Sequence, residues 1–132
     1  MNSDTINIFI SPKIEVRNSP IQGKGVFAKE DINKGEIIEI CHFIVLEQKF
    51  NELDKKLQEY VYAWPKVQFG AKSAVVWGYG SIYNHSRNNS ADWETDEINN
   101  IFKFFSIKDI KKNEEICINY GEAYEKIVGS VK

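Results

Sequence analysis

The stretch that decides the fold is residues 78–86, which read GYGSIYNHS. Within it, Asn84 and His85 combine a turn with two hydrogen-bonding side chains. Taken alone the stretch is ambiguous, because Asn readily forms turns by bonding its own backbone, and a lone His is usually a capping or solvent-facing residue. It becomes informative beside two others, residues 23–28 (GKGVFA) and residues 113–121 (NEEICINYG).

The first of these, residues 23–28, matches the G-x-G-x-x-A pattern of dinucleotide-binding turns. That pattern requires a helix directly after the turn, because the N-terminus of the helix holds the pyrophosphate. Here Lys34 and Gly35 follow after a few residues, and then a β-branched run at 37–46, so a nicotinamide-dependent oxidoreductase is disfavoured. What remains is a local property: two glycines let the backbone approach another group closely, or they simply form a turn.

The rest of the chain predicts a domain of many short strands with one helix. β-Branched and aromatic runs bounded by turn residues predict strands at 13–16, 26–28, 37–46, 60–64, 73–77, 98–110 and 116–119. The helix is expected around 50–60, where apolar residues recur at helical spacing and would pack on the core. These residues are Phe50, Leu53, Leu57 and Tyr60. The polar residues 84–97 predict a long surface loop, and residues 122–128 one or two terminal helical turns.

Length, charge and cysteine content narrow the class of protein. The 132 residues suit one domain, and the net charge of −2 argues against a dedicated nucleic-acid binder, which usually carries a basic surface. Cys41 and Cys117 predict two buried free thiols and no metal site, because a structural zinc needs about four ligands at short spacings. Neither a signal peptide nor an apolar run of roughly 20 residues is found. We therefore expect an intracellular soluble protein with no membrane contact and no direct nucleic-acid site.

In this order and with these spacings, the three segments resemble the motifs of the SET-domain protein-lysine methyltransferases. The most specific feature is Asn-His-Ser followed about thirty residues later by Glu-Glu-apolar-x-apolar-x-Tyr-Gly. The resemblance implies a mainly β (β+α) fold with several small sheets of short strands, one helix and a C-terminal pseudoknot. The pseudoknot would bring Asn84 and Tyr120 together. A single SET domain is expected over 13–132, after an N-terminal extension at 1–12.

The resemblance also implies roles for individual residues. Tyr120 is the expected catalytic tyrosine beside the methyl-transfer channel, with Tyr124 as a supporting wall. The glycine turn is expected to cradle the methionine part of S-adenosylmethionine, and the Asn-His pair to bind its amino group and adenine. The cofactor-binding candidates are Gly23, Lys24, Gly25, Tyr83, Asn84 and His85. The substrate-channel candidates are Ile118, Tyr62 and Tyr79.

The residue types suit the chemistry that the resemblance implies. A methyl group would move in line from the sulfonium of S-adenosylmethionine to a neutral amine, leaving S-adenosylhomocysteine, with no covalent enzyme intermediate and no metal. A lysine amine has a reference pKa near 10.4, so only about one part in a thousand is neutral near pH 7.4, and the site must disfavour the charged form. Aromatic walls do so and tolerate a methylammonium product, while the Tyr120 hydroxyl can orient the nitrogen lone pair.

Departures from the family pattern carry further expectations. Asn89 and Ser90 stand where relatives have Pro-Asn, which makes this loop less rigid. The cysteine-rich zinc segments of larger relatives are missing, so the lysine channel must be completed differently. A homodimer that supplies the missing wall, as in minimal viral and bacterial members, is one hypothesis. Ile118, two positions before Tyr120, has no hydroxyl to hold a water, so methylation is expected to proceed beyond one group.

One alternative function and the substrate remain open. The alternative is a non-catalytic SET-like module that binds a protein partner, and the joint presence of Asn84, His85 and Tyr120 argues against it. The substrate is expected to be a lysine of a protein or peptide, with histone tails and ribosomal proteins as candidates. Neither the lysine nor the compartment, cytoplasm or host nucleus, follows from the sequence.

Overall fold

The computed structural model describes residues 7–65 and 70–121, and these residues form ten short strands. The strands are β1 Phe9–Ile10, β2 Ile14–Asn18, β3 Lys24–Ala28, β4 Ile37–Leu46, β5 Tyr62–Trp64, β6 Lys72–Val76, β7 Asn84–His85, β8 Ala91–Asp96, β9 Ile101–Ser106 and β10 Glu115–Ile118. The helical elements are α1, Lys55–Gln58, and two 3-10 turns at Phe50–Glu52 and Gly78–Ser81. The predicted fold class, mainly β with one helix, is confirmed. No helix in the described ranges is long and apolar enough to cross a membrane.

Two sheets divide the strands between them. The larger has the order β5-β6-β4-β9-β8, and β1 pairs with β4 beside it. Its central strand, β4, has the bounds that the β-branched run predicts. The smaller sheet has the order β2-β3-β10-β7, in which β10 is antiparallel to β3 and parallel to β7. Three neighbouring strands of the smaller sheet therefore carry the three segments on which the resemblance depends.

The main hydrophobic core takes side chains from both sheets. Val26 and Ile116 come from the smaller sheet, and the aromatic rings of Phe43, Trp64 and Phe102 come from the larger one. The Phe43 ring lies 4.8 Å from the Phe102 ring and 5.3 Å from the Trp64 ring, distances at which aromatic pairs attract. This shared core fixes the smaller sheet against the larger one. The two cysteines are buried free thiols, as predicted.

The region 50–60 does not form the single helix that its apolar spacing predicts. The 3-10 turn at Phe50–Glu52 ends in extended backbone, and α1 begins separately after its N-cap, Asp54. Leu57 and Tyr60 are each 42% exposed, so the prediction that the apolar residues of this region pack on the core is wrong for these two. The physical reason is the capping residue Asp54. Its side chain accepts the Lys56 N–H, so that a separate helix begins after it.

The polar residues 84–97 are not the long irregular loop that their composition predicts. They contain β7 and β8, and β8 pairs with β9 along its whole length. A strand with one face towards solvent needs few apolar residues, and in β8 only Ala91 is buried. The segment 1–12, expected as an extension, carries β1, which pairs with β4. The predicted helical turns at 122–128 lie outside the described residues.

Glu36 links the turn before β4 to Lys13, the residue before β2. Its carboxylate accepts hydrogen bonds from the Asn33 N–H at 2.9 Å and from Lys13 Nζ at 3.0 Å, and these partners lower the pKa of Glu36. A lowered folded-state pKa stabilises the fold fully above the unfolded value of about 4.5, and this contribution is lost as the pH falls through the lowered pKa. We expect Glu36→Gln to cost under about 1 kcal/mol of unfolding free energy at pH 7, and less as the pH approaches 3. Urea titrations measure this, and an equal cost at both pH values would contradict it.

Candidate active site

The segments singled out in the sequence adjoin in the smaller sheet. β10 runs parallel to β7, with Cys117 opposite Asn84 and Ile118 opposite His85. On its other edge β10 pairs with β3, the strand that leaves the glycine turn. Tyr120 follows β10 by two residues. The glycine turn, the Asn-His pair and the segment leading to Tyr120 are therefore neighbours, as the expected pseudoknot requires.

The glycine turn packs closely against the side chains beside it. Gly23 has a φ of +48°, in the left-handed region that favours glycine, and a Cβ built there meets no atom of the described residues within 4 Å. A Cβ on Gly25 would lie 2.2 Å from Glu115 Oε2 and 3.0 Å from Asn84 Nδ2, so any side chain would collide. The Lys24 side chain is exposed, which leaves its backbone as the part facing inward. The turn thus touches Asn84 at Gly25, whereas at Gly23 none of residues 7–65 and 70–121 covers it.

The Asn84 amide is oriented by three hydrogen bonds from one atom. Nδ2 donates to the carbonyls of Lys24 at 3.1 Å and Gln22 at 3.3 Å, and to Glu115 Oε2 at 2.7 Å. The Glu115 carboxylate also accepts from the Ser19 hydroxyl at 2.7 Å, which holds it in place. Across the described ranges, every hydrogen bond of this amide uses Nδ2, so the oxygen Oδ1 is left to accept from a ligand.

His85 and Tyr83 hold Tyr120 in place. The His85 ring is fully buried, and its Nδ1 accepts the Tyr120 N–H at 2.9 Å. The centroids of the two rings lie 5.4 Å apart. The Tyr120 hydroxyl donates to the carbonyl of Tyr83, the residue directly before the Asn-His pair. Both the backbone and the side chain of Tyr120 are therefore anchored to residues 83–85.

An aromatic cluster lies beside Tyr120. The Tyr62 ring, from β5, is 5.6 Å from the Tyr120 ring and 5.6 Å from the Trp93 ring of β8. Trp93 stacks on Phe102 at 4.9 Å with the ring planes 15° apart. The Tyr62 hydroxyl donates to the Gly80 carbonyl at 2.6 Å, and burial raises the pKa of this phenol well above its ordinary value, so it keeps its proton. Such a cluster disfavours a charged amine by desolvation and accepts a methylammonium through cation–π contact.

Two residues of this region, Trp93 and Glu39, were not predicted as site residues from the sequence. Trp93 lies in a polar stretch that predicts a loop, and the pairing of β8 with β9 brings it towards Tyr62. Glu39 lies inside the apolar run of β4 and is only 1% exposed. Its carboxylate accepts from the Tyr79 N–H at 2.8 Å and the Tyr83 hydroxyl at 2.7 Å. Burial raises the pKa of this carboxyl, against the effect of its hydrogen bonds. A charged residue within a β-branched run is the one hint the sequence offers.

The other site residues predicted from the sequence are not all found at the site surface. The Tyr83 side chain is buried, with its ring 4.6 Å from that of Phe104, so its carbonyl and not its ring meets Tyr120. Ile118 is fully buried within the main core cluster. Tyr79 is partly buried and packs against the same cluster. Tyr124 lies outside the described residues.

The chemistry of these groups fits S-adenosylmethionine. Asn84 Oδ1, the Glu115 carboxylate and the backbone carbonyls of the glycine turn are all acceptors, which suits a ligand that carries an ammonium and a sulfonium. Among the described residues none covers the turn at Gly23, so they leave this side of it accessible to a ligand. Within residues 7–65 and 70–121, no three His, Cys, Asp or Glu side chains are grouped so that they could hold a metal ion.

The chain is similar to known proteins over the range that carries these residues. The model of the SET domain family matches residues 23–121 of the chain. This range includes the glycine turn, the Asn-His pair and Tyr120. A protein of Schizosaccharomyces pombe named histone-lysine N-methyltransferase, H3 lysine-37 specific, is 34% identical over 120 residues, covering 89% of this chain and 78% of that protein. The crystal structure of a putative histone methyltransferase from Plasmodium falciparum is similar with a TM-score of 0.66 and 34% identity, covering 86% of this chain and 96% of that one.

Proposed function

The chain belongs to the SET-domain family of protein-lysine methyltransferases, and from this premise we propose that it methylates lysines of histones with S-adenosylmethionine as donor. The enzyme class follows from the family. The histone substrate is inferred from the name of the Schizosaccharomyces pombe relative, which is 34% identical. A SET-like module without turnover is not favoured, because the chain carries the tyrosine and the Asn-His pair on which the chemistry depends.

One observation carries the proposal: the backbone N–H and the hydroxyl of Tyr120 are both bonded to residues 83–85. Its N–H donates to His85 Nδ1, and its hydroxyl donates to the Tyr83 carbonyl. The phenol is thereby fixed beside the Tyr62 ring, in a setting of stacked aromatic side chains. Positioning of this kind is what methyl transfer between two bound groups needs.

The proposed cofactor site is the turn at 23–25 together with Asn84 and His85. S-adenosylmethionine, when bound, supplies a methyl group on a positively charged sulfonium. Asn84 would accept from the cofactor's amino group with Oδ1, because its Nδ2 is already engaged. The nearby Glu115 carboxylate keeps Asn84 in this orientation and adds negative charge that favours a cationic ligand.

The proposed lysine site is the aromatic cluster beside Tyr120. The rings of Tyr62, Trp93 and Tyr120 would exclude water from a bound amine, and a desolvated amine loses its proton more easily. Because the Tyr120 hydroxyl proton is donated to the Tyr83 carbonyl, its oxygen presents lone pairs to an amine N–H. Such a bond would hold the nitrogen with its own lone pair directed at the methyl group.

The degree of methylation is proposed to exceed one group. By resemblance to the family, position 118 is where a tyrosine hydroxyl would hold a water in a mono-methylating site, and here the side chain is a buried, apolar isoleucine. With enzyme in excess and a lysine peptide from the tail of histone H3, we expect mass spectra to show di- or trimethyl-lysine. A product series that stops at monomethyl-lysine would contradict this prediction.

We also propose that the chain forms a homodimer through the outer edge of β1. This strand lies in the extension 1–12, before the proposed domain at 13–132. Among the described strands β1 pairs with β4 alone, so its outer edge is open. Ile8, Phe9 and Ile10 are 57%, 40% and 43% exposed, and an apolar strand edge favours pairing with a second chain. Sedimentation equilibrium should give about twice the chain mass of 15.3 kDa. A monomer at the enzyme's working concentration would remove the proposal.

The substrate class is tested by offering labelled S-adenosylmethionine with purified core histones in one reaction and ribosomal proteins in another. Label on histone lysines supports the proposal, and label confined to ribosomal proteins contradicts its histone part while leaving the enzyme class intact. Since histones are intracellular, the proposal also places the protein inside a cell.

A further inference from the structure

Two tyrosine hydroxyls of the active site depend on one short backbone segment. This segment, residues 78–83, consists of the 3-10 turn at Gly78–Ser81 and the two residues after it. The Gly80 carbonyl accepts from the Tyr62 hydroxyl at 2.6 Å, and the Tyr83 carbonyl accepts from the Tyr120 hydroxyl. Because each hydroxyl has a single proton, the direction of these carbonyls decides where the lone pairs of both phenols face.

The segment is itself held at both ends by the carboxylate of Glu39, which comes from the neighbouring strand β4. Oε2 accepts the Tyr79 N–H at 2.8 Å, and Oε1 accepts the Tyr83 hydroxyl at 2.7 Å. Gly78 has a φ of +70°, and a Cβ there would lie 2.5 Å from Glu39 Oε2. The backbone can approach the carboxylate this closely only because position 78 is a glycine.

A buried carboxylate at this position calls for a reason, since an apolar side chain would avoid its desolvation. Glu39 is 1% exposed, and burial raises the pKa of its carboxyl. Burial also raises the pKa of Tyr83 well above its ordinary value, so the phenol keeps the proton that it donates. An apolar residue at position 39 would leave the Tyr79 N–H and the Tyr83 hydroxyl without these acceptors, at about 1–3 kcal/mol for each buried group.

We propose that Glu39 is a positioning residue for methyl transfer, which orients the hydroxyls of Tyr62 and Tyr120 by fixing residues 78–83. Because Glu39 is 1% exposed, its carboxylate is out of reach of a bound substrate or cofactor, and it acts through the two carbonyls of the segment. The inference rests on the proposed role of Tyr120. It assigns a function to the buried charge of β4, which core packing alone does not explain.

The test compares Glu39→Gln and Tyr83→Phe with a control, Glu36→Gln. The Glu39→Gln substitution keeps the size of the side chain but leaves it one acceptor oxygen, so the Tyr79 N–H and the Tyr83 hydroxyl can no longer each be accepted by an oxygen of their own. The Cys41 thiol is a third hydrogen-bond partner of the same carboxylate. Tyr83→Phe removes the hydroxyl that Oε1 accepts and leaves the Tyr79 bond in place. Glu36 precedes the same strand and bonds to Asn33 and Lys13, outside the active site, so its substitution removes a carboxylate without loosening residues 78–83.

The first readout is the NMR signal of ¹³Cζ-labelled tyrosines, which reports hydroxyl hydrogen bonding and requires no substrate. We expect the Tyr62 and Tyr120 signals to shift in both test variants and to stay in place in Glu36→Gln. The second readout is steady-state methyl transfer to core histones. There we expect kcat to fall about 10-fold in both test variants, with KM for S-adenosylmethionine within about twofold of the native value.

Unshifted Tyr62 and Tyr120 signals in a folded test variant would overturn the proposal, and so would an unchanged kcat. If Glu39→Gln does not fold, Tyr83→Phe carries both readouts, because it leaves the Glu39 carboxylate in place. If the native protein transfers no methyl to histones, the failure belongs to the proposed function, and the tyrosine signals alone decide whether Glu39 positions the two phenols.

Discussion

Tyr120→Phe should reduce kcat for methyl transfer about 100-fold or more while leaving the affinity for S-adenosylmethionine within about twofold of the native value. The substituted ring keeps its size, so the contacts with the Tyr62 ring at 5.6 Å and the His85 ring at 5.4 Å are preserved. What is lost is the oxygen that bonds to the Tyr83 carbonyl and that would orient the amine. The loss should therefore appear in kcat, measured at saturating cofactor with labelled methyl.

The matched control for this substitution is Tyr60→Phe. Tyr60 is 42% exposed and precedes β5, so removing its hydroxyl should leave kcat unchanged. If Tyr120→Phe kept more than half of the native kcat, the assignment of Tyr120 as the residue that orients the lysine amine would be wrong.

The second large effect is expected for Asn84→Ala, which should weaken the binding of S-adenosylmethionine by roughly 10- to 100-fold. The substitution removes Oδ1, the acceptor proposed for the cofactor's amino group. It also takes away the donor that Glu115 and the Lys24 carbonyl share, so the glycine turn loses its link to β7. Isothermal titration of the purified protein with the cofactor measures the change without any protein substrate.

Asn99→Ala serves as the control for Asn84→Ala. The Asn99 side chain is exposed and bonds to Asp96 Oδ2 at 2.7 Å, in the turn between β8 and β9. Its loss should leave cofactor affinity at the native value. Native affinity in a folded Asn84→Ala protein would show that the cofactor amino group is held elsewhere.

Local sequence patterns predict those parts of the fold that local chemistry determines. The run at 37–46 is rich in β-branched residues, and β4 has these same bounds. Helical spacing alone fails at 50–60, because the capping side chain of Asp54 interrupts a periodic apolar pattern. The pattern records which residues are apolar, whereas the cap decides where a helix starts.

Contacts made across the sheets could not be predicted from the sequence. The resemblance to a known family placed Asn84 beside Tyr120, but spacing gave no sign that Trp93 would lie against Tyr62. Glu39 is the clearest case. Its carboxylate oxygens accept from Tyr79 and Tyr83, about forty residues further along the chain. The contact follows from the pairing of β4 with β6, the strand that leads into the turn at Gly78–Ser81.

The most direct test of the central claim is mass spectrometry of core histones treated with the native protein and S-adenosylmethionine, with Tyr120→Phe treated in parallel. The account predicts methyl-lysine in peptides from the native reaction and at most a trace from the variant reaction. Methyl groups found only on residues other than lysine, or methyl-lysine formed equally by Tyr120→Phe, would contradict the claim that this site transfers methyl to lysine by way of Tyr120.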